Sequence, residues 1–161
     1  MSMAMLRRYP QLTAVVVDFA NVCSVGREIA AENGLEDRIS YHPADFLKDA
    51  LPSGSEMILE CDVGVYSEAL FRKVRAAMEP GGRFVIVDHL APEEGVGPPS
   101  RVQWAFRGSL GDPDFCFATA ARIREILAET GFELLSERTL PAVTGAANRF
   151  TRNVVLIEAR S

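Results

Sequence analysis

The sequence predicts an α/β domain on a mainly parallel sheet, and three observations carry that prediction. Runs of branched apolar residues alternate with helical apolar patterns along the chain. Two of those runs, residues 13–18 and 83–88, close on an aspartate, Asp18 and Asp88. Two late runs, 132–139 and 153–159, are joined by a Gly/Ala/Asn-containing connection and suit an antiparallel pair.

Taken in order, residues 6–11 read as the tail of a helix stopped by Pro10, and 13–18 as a buried strand. Asn21 is placed to cap a helix whose Val22, Val25, Ile29 and Ala30 share one face and which Gly34 ends. Residues 38–42 form a short strand leading to Ala44, Asp45 and Phe46, and 56–61 follow a turn as the next strand. Ser67 caps a helix with Leu70, Phe71, Val74, Ala77 and Met78 inward, which Pro80-Gly81-Gly82 stops before strand 83–88. Residues 91–118 hold four prolines and four glycines and read as a loop-and-helix excursion inside a single domain, 1–161. Thr119 then caps a helix with Ile123, Ile126 and Leu127 inward, ending at Gly131.

Composition narrows the function. A chain with 48% hydrophobic and 24% charged residues has the balance of a soluble globular protein. Its net charge of −5 gives no reason to expect nucleic acid or an anionic membrane as partner. No apolar run approaches the roughly 20 residues that cross a bilayer. No long apolar stretch follows the N-terminal arginines, so a signal peptide is not expected. Cys23, Cys61 and Cys116 are odd in number and form no CxxC, which points to reduced thiols in the cytoplasm. No HExxH and no His/Cys/Asp cluster points to a metal, and no GxSxG offers a hydrolase nucleophile.

The strand-end acids are the candidate ligand groups. In nucleotide-binding α/β folds such an acid holds ribose hydroxyls, about 20 residues after a glycine-rich turn. Here the first glycine, Gly26, follows Asp18, so the chain carries half of such a pocket. The alternative for Asp18 is a turn or capping acid. Asp45 and Phe46 repeat the arrangement: a carboxylate can accept from an exocyclic amine and an aromatic ring can cover a purine, while core packing is the alternative for Phe46. Glu60, Cys61 and Asp62 end the next strand, and a cysteine beside two carboxylates makes a poor nucleophile. His42 and His89 are the only histidines; His89 follows Asp88 and is placed to reach a pocket or to lie at the surface. Trp104, Phe106, Phe115 and Phe117 make the excursion aromatic, as a lid over an apolar pocket, a helix packing surface or a dimer contact.

Together, LRRYPQL, VVVDF, GLEDRISYHPADFL, VRAAMEPGGRFVIVDHL and ARIREILAETGFELL resemble the S-adenosylmethionine-dependent O-methyltransferases that act on small phenolic, indolic or polyketide hydroxyls. The resemblance runs from Leu6 to the C-terminus. It implies a Rossmann-like sheet, mainly parallel with a late antiparallel strand. It places Asp18 with Phe19 on the cofactor ribose, Asp45 with Phe46 at the adenine, and the segment after Leu59, beginning with Glu60, near the methionine portion and the acceptor. It also implies that the first strand and its glycine-rich loop lie upstream of Met1, leaving an incomplete sheet. The histidine that many members place after this strand falls on Gly64, so no catalytic base carries over. Two strand edges then need partners, through direct pairing of the strands at Val15 and Met57 or through a homodimer. The rival to a transferase is a non-catalytic methyltransferase-like module serving homo-oligomerisation. A nicotinamide-dependent oxidoreductase shares only the strand-end acid.

Overall fold

The computed structural model describes residues 1–92, 99–111, 118–140 and 154–161. The chain divides into two compact units, Met1–Ser53 and Gly54–Ser161.

In the first unit, α1 (Ser2–Arg8) leads to β1 (Ala14–Asp18), α2 (Ala20–Glu32) and β2 (Ile39–Pro43). β1 and β2 pair in parallel, Ala14 opposite Ile39 and Asp18 opposite Pro43. Leu6, Ala30, Leu35 and Ile39 form the core, with Met3, Leu12, Ala14, Val16 and Tyr41 packed against them. The Arg38 guanidinium ties this unit together by donating to the carbonyls of Tyr9 and Leu12. The first helix thus starts at Ser2 and ends at Arg8, two residues before the proline expected to stop it.

α2 departs from expectation twice. Its N-cap position is Phe19, with no side-chain cap, so Asn21 lies inside the first turn. Cys23 and Ala30 are its buried residues, while Val22, Val25 and Ile29 are exposed. The apolar stripe exists in sequence, but no described residue covers it. Gly26, an unfavourable residue within a helix, is explained by packing: a Cβ there would lie 2.3 Å from the Tyr41 ring of β2.

The second unit contains β3 (Ser55–Cys61), α3 (Glu68–Ala77), β4 (Met78–Asp88), α4 (Pro99–Ser109), α5 (Ala120–Glu129), β5 (Glu133–Leu140) and β6 (Val154–Arg160). Its sheet runs β3-β4-β6-β5, parallel between β3 and β4 and antiparallel at both contacts of β6. The expected late antiparallel pair is therefore present. Ser67 and Thr119 cap α3 and α5, accepting from the Leu70 and Arg122 amides at 3.2 Å each. Ile123, Ile126 and Leu127 are buried as expected, and so are Leu70, Phe71, Val74 and Ala77. Phe71 meets Phe84 edge-on at 5.1 Å, and Phe84 lies 5.4 Å from Phe132, an aromatic contact between α3, β4 and the residue just before β5.

The Pro80-Gly81-Gly82 sequence does not end α3, which stops at Ala77. It lies inside β4, where the register jumps from Ser55–Met78 to Met57–Arg83. Gly82 is needed there for close approach: a Cβ would lie 2.9 Å from the Glu79 carbonyl and 3.0 Å from that of Glu56.

The strands at Val15 and Met57, expected as one way to close the sheet, are assigned to separate sheets. Among the described residues β1 pairs only with β2, and β3 only with β4. Within the excursion, α4 carries an exposed Val102 and Phe106. The side chain of Trp104, and residues Phe115, Cys116 and Phe117, lie outside the described residues, as does the connection before β6. Cys23 and Cys61 are free thiols.

Candidate functional site

The first unit gathers four of the five expected ligand residues at one place. Asp18 ends β1 opposite the last residue of β2, and the Ala44 amide donates to the Asp18 carbonyl at 2.9 Å. Asp18, Phe19, Asp45 and Phe46 therefore share the carboxyl end of a parallel pair, where open α/β sheets receive ligands. One Asp18 oxygen accepts from the Phe19 amide at 2.7 Å. Its other oxygen has no partner among the described residues. The Phe19 ring beside it is exposed. The first turn of α2 is held in place by Cys23, whose amide donates to the Phe19 carbonyl and whose thiol donates to that of Asp18 at 3.3 Å.

Asp45 is engaged in its own turn. Its carboxylate accepts from the Leu47 amide at 3.1 Å and pairs with Lys48 Nζ at 2.8 Å, while its amide donates to Asp49. The Lys48 contact holds the Asp45 carboxyl below the usual carboxylate range. Phe46 is half-buried. A free oxygen on Asp18 beside an exposed ring fits a ribose; Asp45 fits an amine donor only by sharing oxygens already in use.

The fifth residue, Glu60, lies in the second unit at the carboxyl end of β3, and the site around it was only partly foreseen. Asp88, at the end of β4, is buried and accepts from three donors: the Gly64 amide at 3.2 Å, the Tyr66 hydroxyl and the His89 amide. Glu60 is 8% exposed, and among the described residues its Oε1 has no hydrogen-bond partner. Burial first, then the neighbouring Asp88 charge, push the Glu60 carboxyl up to about 8. Burial and the hydrogen bond to Asp88 raise the Tyr66 phenol. Between the two strands, Asp62 adopts a left-handed φ of 55°, unusual for a residue with a side chain, and its amide donates to the Val87 carbonyl.

The position expected for a catalytic histidine is thus filled by Gly64, whose amide serves Asp88. His42 is exposed and His89 is half-buried. Tyr66 carried no signal in sequence, because its role depends on an acid 22 positions away. Among the described residues no group of three or more His, Cys, Asp or Glu side chains is placed to hold a metal. Nor, among them, is any helix long and apolar enough to cross a membrane.

Residues 1–133 match the model of the O-methyltransferase domain. The chain belongs to that family. Its members are S-adenosylmethionine-dependent enzymes. Similar proteins include a 3-hydroxy-5-methyl-1-naphthoate 3-O-methyltransferase of Streptomyces sahachiroi, 34% identical over 57% of this chain and 28% of the relative. An acetylserotonin O-methyltransferase of Bos taurus is 30% identical over 77% of this chain and 36% of the relative. The chain thus spans well under half the length of these relatives. The solved structure of PigF with SAH matches with a TM-score of 0.78 at 18% identity, covering 99% of this chain and 46% of that one. That likeness establishes an α/β methyltransferase fold with parallel and antiparallel strands.

Proposed function

We propose that this chain forms the adenosine-binding part of an S-adenosylmethionine-dependent O-methyltransferase acting on a small aromatic or polyketide hydroxyl. The chain is read as one such domain, 1–161, with an incomplete sheet; the support is that among the described residues β1 pairs only with β2 and β3 only with β4. The observation that carries the reading is Asp18, a strand-end carboxylate with one oxygen tied to the Phe19 amide and the other without a partner among the described residues. Asp18 accepts from the ribose hydroxyls, and Phe19 covers apolar surface beside them. Asp45 and Phe46 lie at the adenine; Glu60, in the second unit, is read separately as a ligand-facing acid. The cofactor supplies an electrophilic methyl group on a sulfonium. What the chain adds is positioning, the larger part of the task in a direct methyl transfer.

Calorimetry with S-adenosylhomocysteine tests this. Asp18→Ala is expected to weaken binding about 10- to 100-fold, the loss of one or two hydrogen bonds to a charged acceptor. An unchanged affinity would remove Asp18 from the site, and an absence of binding by the parent chain would reject the reading.

A homodimer belongs to the same proposal. Its support is the edge of β1 that pairs with no described strand, together with the exposed Val15, Val22, Val25 and Ile29 of the first unit. Analytical ultracentrifugation is expected to give twice the monomer mass, and a monodisperse monomer would reject it. The free thiols Cys23 and Cys61 support a cytoplasmic setting.

A further inference from the structure

The sheet of the second unit brings two carboxyl groups to one face. Glu60 of β3 pairs with Ile86 of β4, and Asp88 lies two positions further along that strand. Glu60 and Asp88 therefore project to the same side, while Cys61 projects to the other. Donors are divided unequally between them. Asp88 accepts from the Gly64 amide, the Tyr66 hydroxyl and the His89 amide, whereas the buried Glu60 has an Oε1 without a partner among the described residues. Burial, then the Asp88 charge, push the Glu60 carboxyl up to about 8, so it is neutral at pH 7.

Two of the donors to Asp88 belong to the turn that follows β3. Residues 62–66 are tied to the end of β4 through the Asp62 amide, which donates to the Val87 carbonyl at 3.0 Å, and through the Gly64 amide and Tyr66 hydroxyl on Asp88. Asp62 holds a left-handed φ of 55°, a strained conformation for a residue with a Cβ. The turn is thus a strained segment held to the sheet largely through one carboxylate. The other titratable groups at the pair are Asp62, exposed in the turn, and His89, which is itself engaged. The neighbouring elements face it with apolar residues, α3 with Phe71 against the Tyr66 ring and β6 with Val155 opposite Asp88.

We propose that the turn from Asp62 to Tyr66 is a latch worked by the Glu60 proton, fastened to Asp88 while Glu60 is neutral and released when Glu60 ionises. A second buried carboxylate on the same face repels Asp88 and competes for its donors, having none on Oε1. The Tyr66 hydroxyl is the donor free to move, because it sits on a side chain, and it already feels the Glu60 charge. Once it leaves, the Gly64 amide is the turn's last bond to Asp88, and the strain at Asp62 favours opening. The Glu60 proton passes to solvent and returns from it on reclosing. The latch lies at the carboxyl end of β3 and β4, the end where open α/β sheets receive ligands, so the proton controls access there. It uses residues of the second unit alone and is independent of cofactor binding.

NMR of the full chain between pH 6 and 9.5 tests the latch, with the Gly64 amide and the hydroxyl-bearing ring carbon of Tyr66 as reporters. Both are expected to titrate together with a midpoint near 8. Hydrogen exchange at the Gly64 amide is read relative to Glu60→Gln at the same pH, which cancels the direct effect of hydroxide. The two chains should exchange alike at pH 6, and the parent should be about tenfold faster at pH 9, where Glu60 is about ten-to-one ionised. Both reporters should stay flat in Glu60→Gln and should titrate as in the parent in His89→Asn. Equal exchange at pH 9 would overturn the latch, since Glu60 would then ionise with the turn closed. Titration that persists in Glu60→Gln, or that is lost in His89→Asn, would overturn it by assigning the proton to another group.

Discussion

Glu60→Gln is expected to raise the stability of the ligand-free chain at pH 7 by about 2 kcal/mol, or ~5 °C in Tm. Glu60 titrates near 8 when folded and near 4.5 in an unfolded chain. The native state therefore binds more protons than the unfolded state between those values, and stability falls as pH rises through that window. It is unaffected by this group below pH 4.5 and levels off above about pH 8. At pH 7 the full linkage is about 3 kcal/mol, taking 1.36 kcal/mol per pH unit. The extra donor of a buried glutamine amide offsets part of it. Because the substituted residue does not titrate, its advantage should shrink to nearly nothing at pH 4.5. Differential scanning calorimetry at pH 4.5, 6 and 7.5 measures the trend. A loss of stability that is the same at all three values would mean that Glu60 makes a native contact worth more than its ionisation costs.

Asp88→Ala is expected to act in the opposite direction and more strongly. It leaves the Gly64 amide, the Tyr66 hydroxyl and the His89 amide without their acceptor, at a buried position. Hydrogen bonds to a charged acceptor are worth more than neutral ones, and unmade buried donors cost about 1–3 kcal/mol each. A net loss of about 3–4 kcal/mol follows, after relaxation lets some donors reach water. Removing the Asp88 charge also relieves Glu60, whose carboxyl should titrate lower. The signature is thus a lower Tm together with a shallower dependence of stability on pH between 5 and 8. Asp88→Asn should fall between the parent and alanine, keeping one acceptor oxygen but presenting an amide to the remaining donors. A Tm within a degree of the parent would show that the three donors find other partners.

Much of the fold was legible because the signals are local. The Ser67 and Thr119 caps, the inward faces of α3 and α5, and the strands ending near Asp18 and Asp88 follow from residue type and spacing over one or two turns. The grouping of Asp18 with Asp45 was legible for a related reason. Parallel strands end at the same edge, so two strand-end acids become neighbours once the pairing is right. α2 shows the limit. Val22, Val25 and Ile29 announce an apolar face, but periodicity does not say what covers it, and among the described residues nothing does. Pro80-Gly81-Gly82 shows another. It reads as a helix stop, yet it lies within β4, because the tight approach to the Glu56 carbonyl comes from a strand more than 20 residues earlier.

By itself the sequence determined the α/β class, the order of elements and the family, since each rests on short-range patterns repeated along the whole chain. It also singled out the strand end at Asp18 as the candidate ligand site. Only the tertiary structure decided the state of Glu60. The residue reads in sequence as one acid among three at a strand end. Its Oε1 is left without a partner among the described residues when β3 and β4 align, Asp88 arrives beside it, and Gly64 and Tyr66 turn back to serve Asp88 instead. Ionisation depends on distance, burial and competition for donors, and those quantities exist only once distant segments share the same space.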